Sequence, residues 1–311
     1  MKRAVLGLSH TPLLGLNALA PEVDASLRGA ISEAARHIRE FAPELVIIFA
    51  PDHFNGFFHE LMPPYCIGTQ AEAMGDYGTP AGMLNVPASD ALSLATSVGK
   101  SGLDIAVSRR MWVDHGFSQP LDLIFGGLAS PPVIPIFINA AAPPAIPNVA
   151  RCWALGRAVG DHFAADPRRI LVIGSGGLSH DPPIPTLEHP DAGVRERIVG
   201  RNRPTADQRA ARQERVIAAG KAMAAGTSDR RPLNPAWDRQ LMDLLEAGDW
   251  AAIKAISEDE ITQQGGGSAH EVKTWIAAFA SQAGESLSTR LRWYRDIPDL
   301  IAGFGVLVRA A

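Results

Sequence analysis

Three apolar, strand-like runs in this chain end in a histidine: AVLGLSH at His10, LVIIFAPDH at His53 and ILVIGSGGLSH at His180. A strand that feeds a loop delivers its last residues to the carboxyl edge of a sheet. In open α/β sheets that edge is where ligands bind. A fourth histidine, His115, sits in VDHGF. Histidine is a common transition-metal ligand and the usual acid or base near neutral pH, so these residues predict an assembled site.

Two histidines and one carboxylate on one face of a metal suit non-haem Fe(II) oxygen chemistry, because positions stay open for substrate and dioxygen. His10 and His53 form the natural histidine pair, since both end early strands. Glu271 is the candidate carboxylate. It follows Gly265 to Gly267, which permit close backbone approach, and it opens a helix expected to bury Val272, Trp275 and Ile276. The same donors suit a zinc hydrolase, and the residues alone leave that open. His115 has Asp114 beside it, and a carboxylate that orients a histidine and keeps it basic suits acid–base work. The glycines before His180 let the backbone approach a ligand.

Blander readings stand beside these. His10 could be a turn histidine, Asp52 before His53 a loop residue capping a helix, Glu271 a complement to a helix dipole, and His115 a cap or a satisfied loop histidine. Ser175 fails the nucleophile-elbow pattern, because Ile173 stands where a glycine is needed. The SGG loop is not a Walker sequence. His37 and His162 read as helix surface or packing. His59 and His189 lack a matched context, and His270 is a neighbour of the ligands or a cap.

These residues need a scaffold. Strands are expected at 3–9, 44–50, 63–69, 103–108, PVIPIFIN and 169–174, with helices at 22–41, 89–102, 118–128, 150–164 and 270–281. The 89–102 helix follows a Ser89–Asp90 cap signal, and the prolines of PVIPIFIN predict an edge-like or irregular strand rather than a clean central one. Continuous apolar strands separated by helices indicate an α/β fold with a central, largely parallel or mixed sheet. The reading is one large domain over residues 1–311 with a helical elaboration at 192–261, which is a lid, an oligomer surface or a solvated insertion.

Composition narrows the partners. Charged residues make up 20% and the net charge is −4, so nothing marks a nucleic-acid surface. Two cysteines cannot form a disulfide framework. His10, Thr11 and Pro12 interrupt the amino-terminal apolar run, and no run approaches the roughly 20 residues of a bilayer span. A cytoplasmic protein with no membrane partner is expected.

The segments LSHTPL, ELVIIFAPDHFNGFF, MPPYCIG, VDHGFSQPL, FIN, GSGGLSHDPP, PLNPAWD, HEVKTWIAAFA and IPDLIAGFG resemble, in order and nearly end to end, the class III extradiol ring-cleaving dioxygenases of the protocatechuate 4,5-dioxygenase catalytic-subunit superfamily. The resemblance implies Fe(II) held by His10, His53 and Glu271, with His115 as proton donor and His180 as proton acceptor. It further implies a catechol substrate with O2, 3-(2,3-dihydroxyphenyl)propionate or its cinnamate analogue, and a homo-oligomer, tetramer or larger. The stretch 183–232 is the least similar.

Overall fold

A computed structural model describes residues 2–200 and 204–311. Strands β1 (Arg3–Leu8) and β2 (Leu45–Ala50) flank helix α1 (Pro21–Phe41). Three short strands follow: β3 (Tyr65–Gly68), β4 (Ala71–Met74) and β5 (Ala81–Met83). Then come α2 (Ala88–Lys100), β6 (Ala106–Ser108), β7 (Met111–Val113), α3 (His115–Phe125), β8 (Val133–Ile138), α4 (Val149–His162) and β9 (Ile170–Ser175). The region 192–261 is helical as expected: α5 (Ala192–Val199), α6 (Ala206–Ala224), α7 (Pro235–Ala247), α8 (Trp250–Ala255) and α9 (Glu258–Gly265). Within that region, residues 201–203 lie outside the described residues. Helix α10 (Val272–Ala280) and the hairpin β10 (Ser288–Ile297) and β11 (Ala302–Ala310) complete the chain.

The main sheet has the order β10-β11-β1-β9-β2-β8-β3-β6, and β5-β4-β7 form a small second sheet. The sheet is mixed. Strands β1, β9, β2 and β8 run parallel, whereas β3 joins β8, and β11 joins β1, antiparallel. Along β2, Ile47 and Phe49 face one apolar core while Val46, Ile48 and Ala50 face the other. Burial on both faces is why this strand reads as an unbroken apolar run. Sequence reasoning did not find the small sheet or the closing hairpin. Strand β10 (STRLRWYRDI) is largely exposed or half-buried, so its apolar signal is weak.

Three local expectations are corrected. Strand β8 is central, not an edge, and all six of its residues are buried. Val46 N–H donates to the Pro132 carbonyl, so even-numbered β8 residues bond β2 and the missing N–H of Pro135 falls on the other side. There the pairing with β3 reaches only Ile136. Helix α2 begins at Ala88 after Pro87 with no side-chain cap, because Ser89 and Asp90 fall inside its first turn, where Asp90 pairs with Arg168 at 2.7 Å. Helix α3 begins at His115 rather than near 118, with Asp114 as its cap, accepting from Gly116 N–H.

Helix α10 is buried along all nine residues. Its one ammonium, Lys273, is matched by Glu258 and by His270 Nδ1, as a buried charge must be. Close neighbours clamp the helix. A Cβ on Gly174 of β9 would lie 2.7 Å from Trp275 Cα, and one on Gly156 of α4 would lie 2.1 Å from the Ala277 carbonyl oxygen. Gly156→Ala should therefore destabilise by about 1–3 kcal/mol through overpacking, seen as a lower thermal midpoint. Gly29, on the exposed face of α1, has nothing within 4 Å of a Cβ, so Gly29→Ala should instead stabilise by about 0.5–1 kcal/mol. Equal shifts in the two variants would refute the clamp.

Candidate active site

Strands β1, β9 and β2 are parallel neighbours, so their carboxyl ends share one edge. His10 follows β1 by two residues, His53 follows β2 by three, and His180 ends a five-residue loop after β9. His115 is the first residue of α3, and Glu271 closes a single 3-10 turn before α10. All five are buried. The structure brings together every residue the sequence singled out.

Glu271 lies at the centre. Its Oε1 is 3.1 Å from His53 Nε2 and 3.3 Å from His180 Nε2. Its Oε2 is 3.5 Å from His10 Nε2 and accepts the Gly177 N–H at 2.9 Å. The glycines permit this approach. Gly266 has φ +101°, and a Cβ there would lie 2.6 Å from the His180 carbonyl oxygen. His115 stacks on His53 with centroids 4.5 Å apart, and its Nε2 is buried with no hydrogen-bond partner.

In each imidazole the other nitrogen is committed. Pro120, inside α3, has no N–H for the Gly116 carbonyl four residues back, and that carbonyl accepts the Ser175 hydroxyl at 2.6 Å. The Ser175 proton is thereby used, so its Oγ accepts from His10 Nδ1 at 2.9 Å. Asp114 Oδ2 accepts from His53 Nδ1 at 3.0 Å and from the His53 N–H at 2.9 Å. His180 Nδ1 donates to the Leu178 carbonyl at 2.9 Å, and His115 Nδ1 pairs with Asp76 Oδ2 at 2.6 Å. A fixed acceptor on one ring nitrogen sets which nitrogen works, and here it leaves Nε2 of all four.

The partners differ from expectation in one respect. Asp114, adjacent to His115, orients His53, and the carboxylate on His115 is Asp76. Asp76 was missed because its turn, GDYG, reads only as a loop, and the 39 residues separating it from His115 hide the pairing. Asp52 caps no helix; it accepts the N–H groups of Asn55, Gly56 and Phe57, closing the turn behind His53. His59 stacks on Phe54, and His270 bonds Thr262 and Lys273. Neither lines the cavity.

Charge follows geometry. Burial would raise the Glu271 pKa, but His180 and His10 hold it well below the usual carboxylate range. Burial opposes charge on His53 as well, yet Asp114 and Glu271 hold its pKa well above the ordinary value. His10 goes the other way: burial outweighs Glu271 and lowers it to about 3. The ligand atoms of His10, His53 and His115 lie within 4.8 Å of one another, as do those of Asp76, Asp114 and His115. Imidazole lone pairs converging beside a buried carboxylate fit a divalent transition metal.

A cavity opens over the cluster, with the four histidines and Glu271 on its floor. Its walls come from Tyr77, the Pro182–Ile184 loop, Arg212 and Val216 of α6, and the Leu300–Ala302 turn. Part of the 192–261 elaboration thus covers the site. No helix among the described residues is long and apolar enough to cross a membrane.

Residues 4–305 match the family model described as the catalytic LigB subunit of aromatic ring-opening dioxygenase. The chain is similar to the 2,3-dihydroxyphenylpropionate/2,3-dihydroxicinnamic acid 1,2-dioxygenase of Comamonas testosteroni, at 53% identity over 98% of this chain and 96% of that protein. It is 48% identical to the enzyme of the same name from a Rhodococcus species, over 100% of this chain and 99% of that one. A solved structure of an uncharacterised Escherichia coli K12 protein aligns over 98% of each chain with a TM-score of 0.48 and 14% identity. With a full-length family match and relatives of this similarity, the chain belongs to the family of catalytic LigB subunits of aromatic ring-opening dioxygenases.

Proposed function

We propose that the protein is a non-haem Fe(II) extradiol dioxygenase acting on 3-(2,3-dihydroxyphenyl)propionate and the corresponding cinnamate. With both atoms of O2 it would give 2-hydroxy-6-oxonona-2,4-dienedioate or the trienedioate. The observation that carries this reading is the convergence of four imidazole Nε2 atoms and Glu271 on one cavity floor. The names of the relatives supply the substrate. The same reading includes a cytoplasmic homo-oligomer, tetramer or larger, whose mass light scattering would give.

His10, His53 and Glu271 would hold the iron. His115 also lies within reach of His10 and His53, but a third imidazole adds no negative charge to offset a buried dication. Glu271 does, and it faces the Nε2 atoms of both other ligands. Bound there, a ferrous ion supplies the Lewis acidity that eases proton loss from the catechol and the electron relay between ring and dioxygen.

His180 takes a catechol hydroxyl proton. Its Nδ1–H is committed to Leu178, so the accepting lone pair is on Nε2. Burial opposes the resulting charge, but Glu271 outweighs it and raises the His180 pKa. His115 delivers a proton from Nε2 to the oxygen released as the ring opens. Asp76 on Nδ1 accepts in either protonation state, so the working proton moves at Nε2 alone.

After anaerobic loading with Fe(II), an oxygen electrode should show uptake with 2,3-dihydroxyphenylpropionate ahead of catechol and protocatechuate, with a yellow ring-fission product. Preference for either of the other two removes the substrate and leaves the chemistry standing. His115→Ala and His180→Ala should keep iron but lose about 10²–10⁴-fold in turnover; iron loss in His115→Ala would make it the third ligand. Glu271→Ala should fail to retain iron by metal analysis, and an iron-replete, active variant would remove it from the ligand set. Ser175→Ala, which frees His10 Nδ1, should weaken iron binding about 10–100-fold with the fold intact by circular dichroism.

A further inference from the structure

Among the described residues, Arg212 is the only lysine or arginine lining the cavity. It is half-buried on α6, one turn before Val216, and donates from Nη2 to the His53 carbonyl at 3.0 Å. Among the described residues no carboxylate pairs with it, and that carbonyl is its one hydrogen-bond acceptor. Other helical arginines are matched locally: Arg28 with Asp24, Arg36 with Glu33 and Glu40, and Arg157 with Asp161. The positive charge of Arg212 reaches the Tyr77 phenol on the facing wall. Burial raises that group, and Arg212 acts against the rise.

We propose that Arg212 is the specificity determinant that pairs with the side-chain carboxylate of the catechol substrate; this rests on the ring-opening reading above. A carboxylate buried without a cation is costly. The loop 182–184 and the turn 300–302 offer no side-chain donor, and Glu271 on the floor would repel it. A guanidinium presents a planar fork that matches a carboxylate with two parallel bonds. The bond to the His53 carbonyl holds one arm of that fork and leaves donors free. It also ties the guanidinium to the residue whose imidazole lies on the floor, so a single residue sets the spacing between the ring's anchor and the arm's anchor.

The decisive comparison is 2,3-dihydroxyphenylpropionate against 3-propylcatechol, which has the same ring and an uncharged arm. In Arg212→Gln the ratio of kcat/KM for the acid to that for the neutral catechol should fall about ten- to hundredfold, mostly through KM for the acid. Arg212→Lys should recover part of it. An unchanged ratio, or equal losses on both substrates, overturns the assignment. Calorimetry with 3-phenylpropionate, which has the arm but no hydroxyls, reads the same contact without turnover. Binding should weaken by a similar factor in Arg212→Gln, and undiminished binding overturns the proposal. A wild-type protein that binds 3-phenylpropionate through Arg212 but cleaves neither catechol would overturn the ring-opening reading and leave the carboxylate site standing.

Discussion

Glu271 is 3% exposed, and its two oxygens face three imidazole Nε2 atoms within 3.5 Å. A carboxylate in such a place is costly unless positive charge meets it, and the site meets it with rings that cannot turn away. Each Nδ1 is spent on a fixed partner: a serine whose own proton is used, a backbone carbonyl, or a buried aspartate. Freed of those acceptors, an imidazole could flip and offer the wrong nitrogen. The direction of four Nε2 atoms is therefore the constraint on which the proposed metal binding and proton transfer both depend.

The fold enforces that constraint through features with no catalytic appearance. A proline in α3 vacates one helical carbonyl, Ser175 fills it, and Ser175 then fixes His10. Asp114 caps α3 with one oxygen and holds His53 and Asn55 with the other. Capping and ligand orientation are one interaction here, so the start of α3 and the placement of His53 are not separable. On the opposite side, α10 is pressed onto β9 and α4 through glycine contacts. A helix held that closely gives Glu271 little freedom to move from the strand-end loops.

This division explains what the sequence disclosed. The unbroken apolar runs of β1, β2 and β9 are legible because burial on both faces leaves one pattern, and their histidines follow from it. Glu271 was found through its triple glycine and the apolar helix behind it. Asp76 was not, because a turn of glycines and an aspartate carries no periodicity and its partner is remote in sequence. Strand β8 was misplaced because a proline marks an edge only when its N–H is needed, and parity along the strand decides that. Arg212 lay hidden in RNRPTADQRAARQER, where a polar helix gives no sign of which face meets a cavity.

The floor and the wall of the cavity are built on different terms. The floor is over-determined, since each working residue has a dedicated partner deep in the sheet or on a buried helix. The wall rests on α6, docked near its carboxyl end, where a Cβ on Gly220 would lie 2.4 Å from the Asp299 carbonyl oxygen. Asn17 bonds that same carbonyl at 2.7 Å. Arg212 touches the floor only through the backbone carbonyl of His53, a group that stays in place whatever side chain occupies position 212. A change at position 212 therefore alters one wall of the cavity without removing any of the four Nδ1 bonds on its floor.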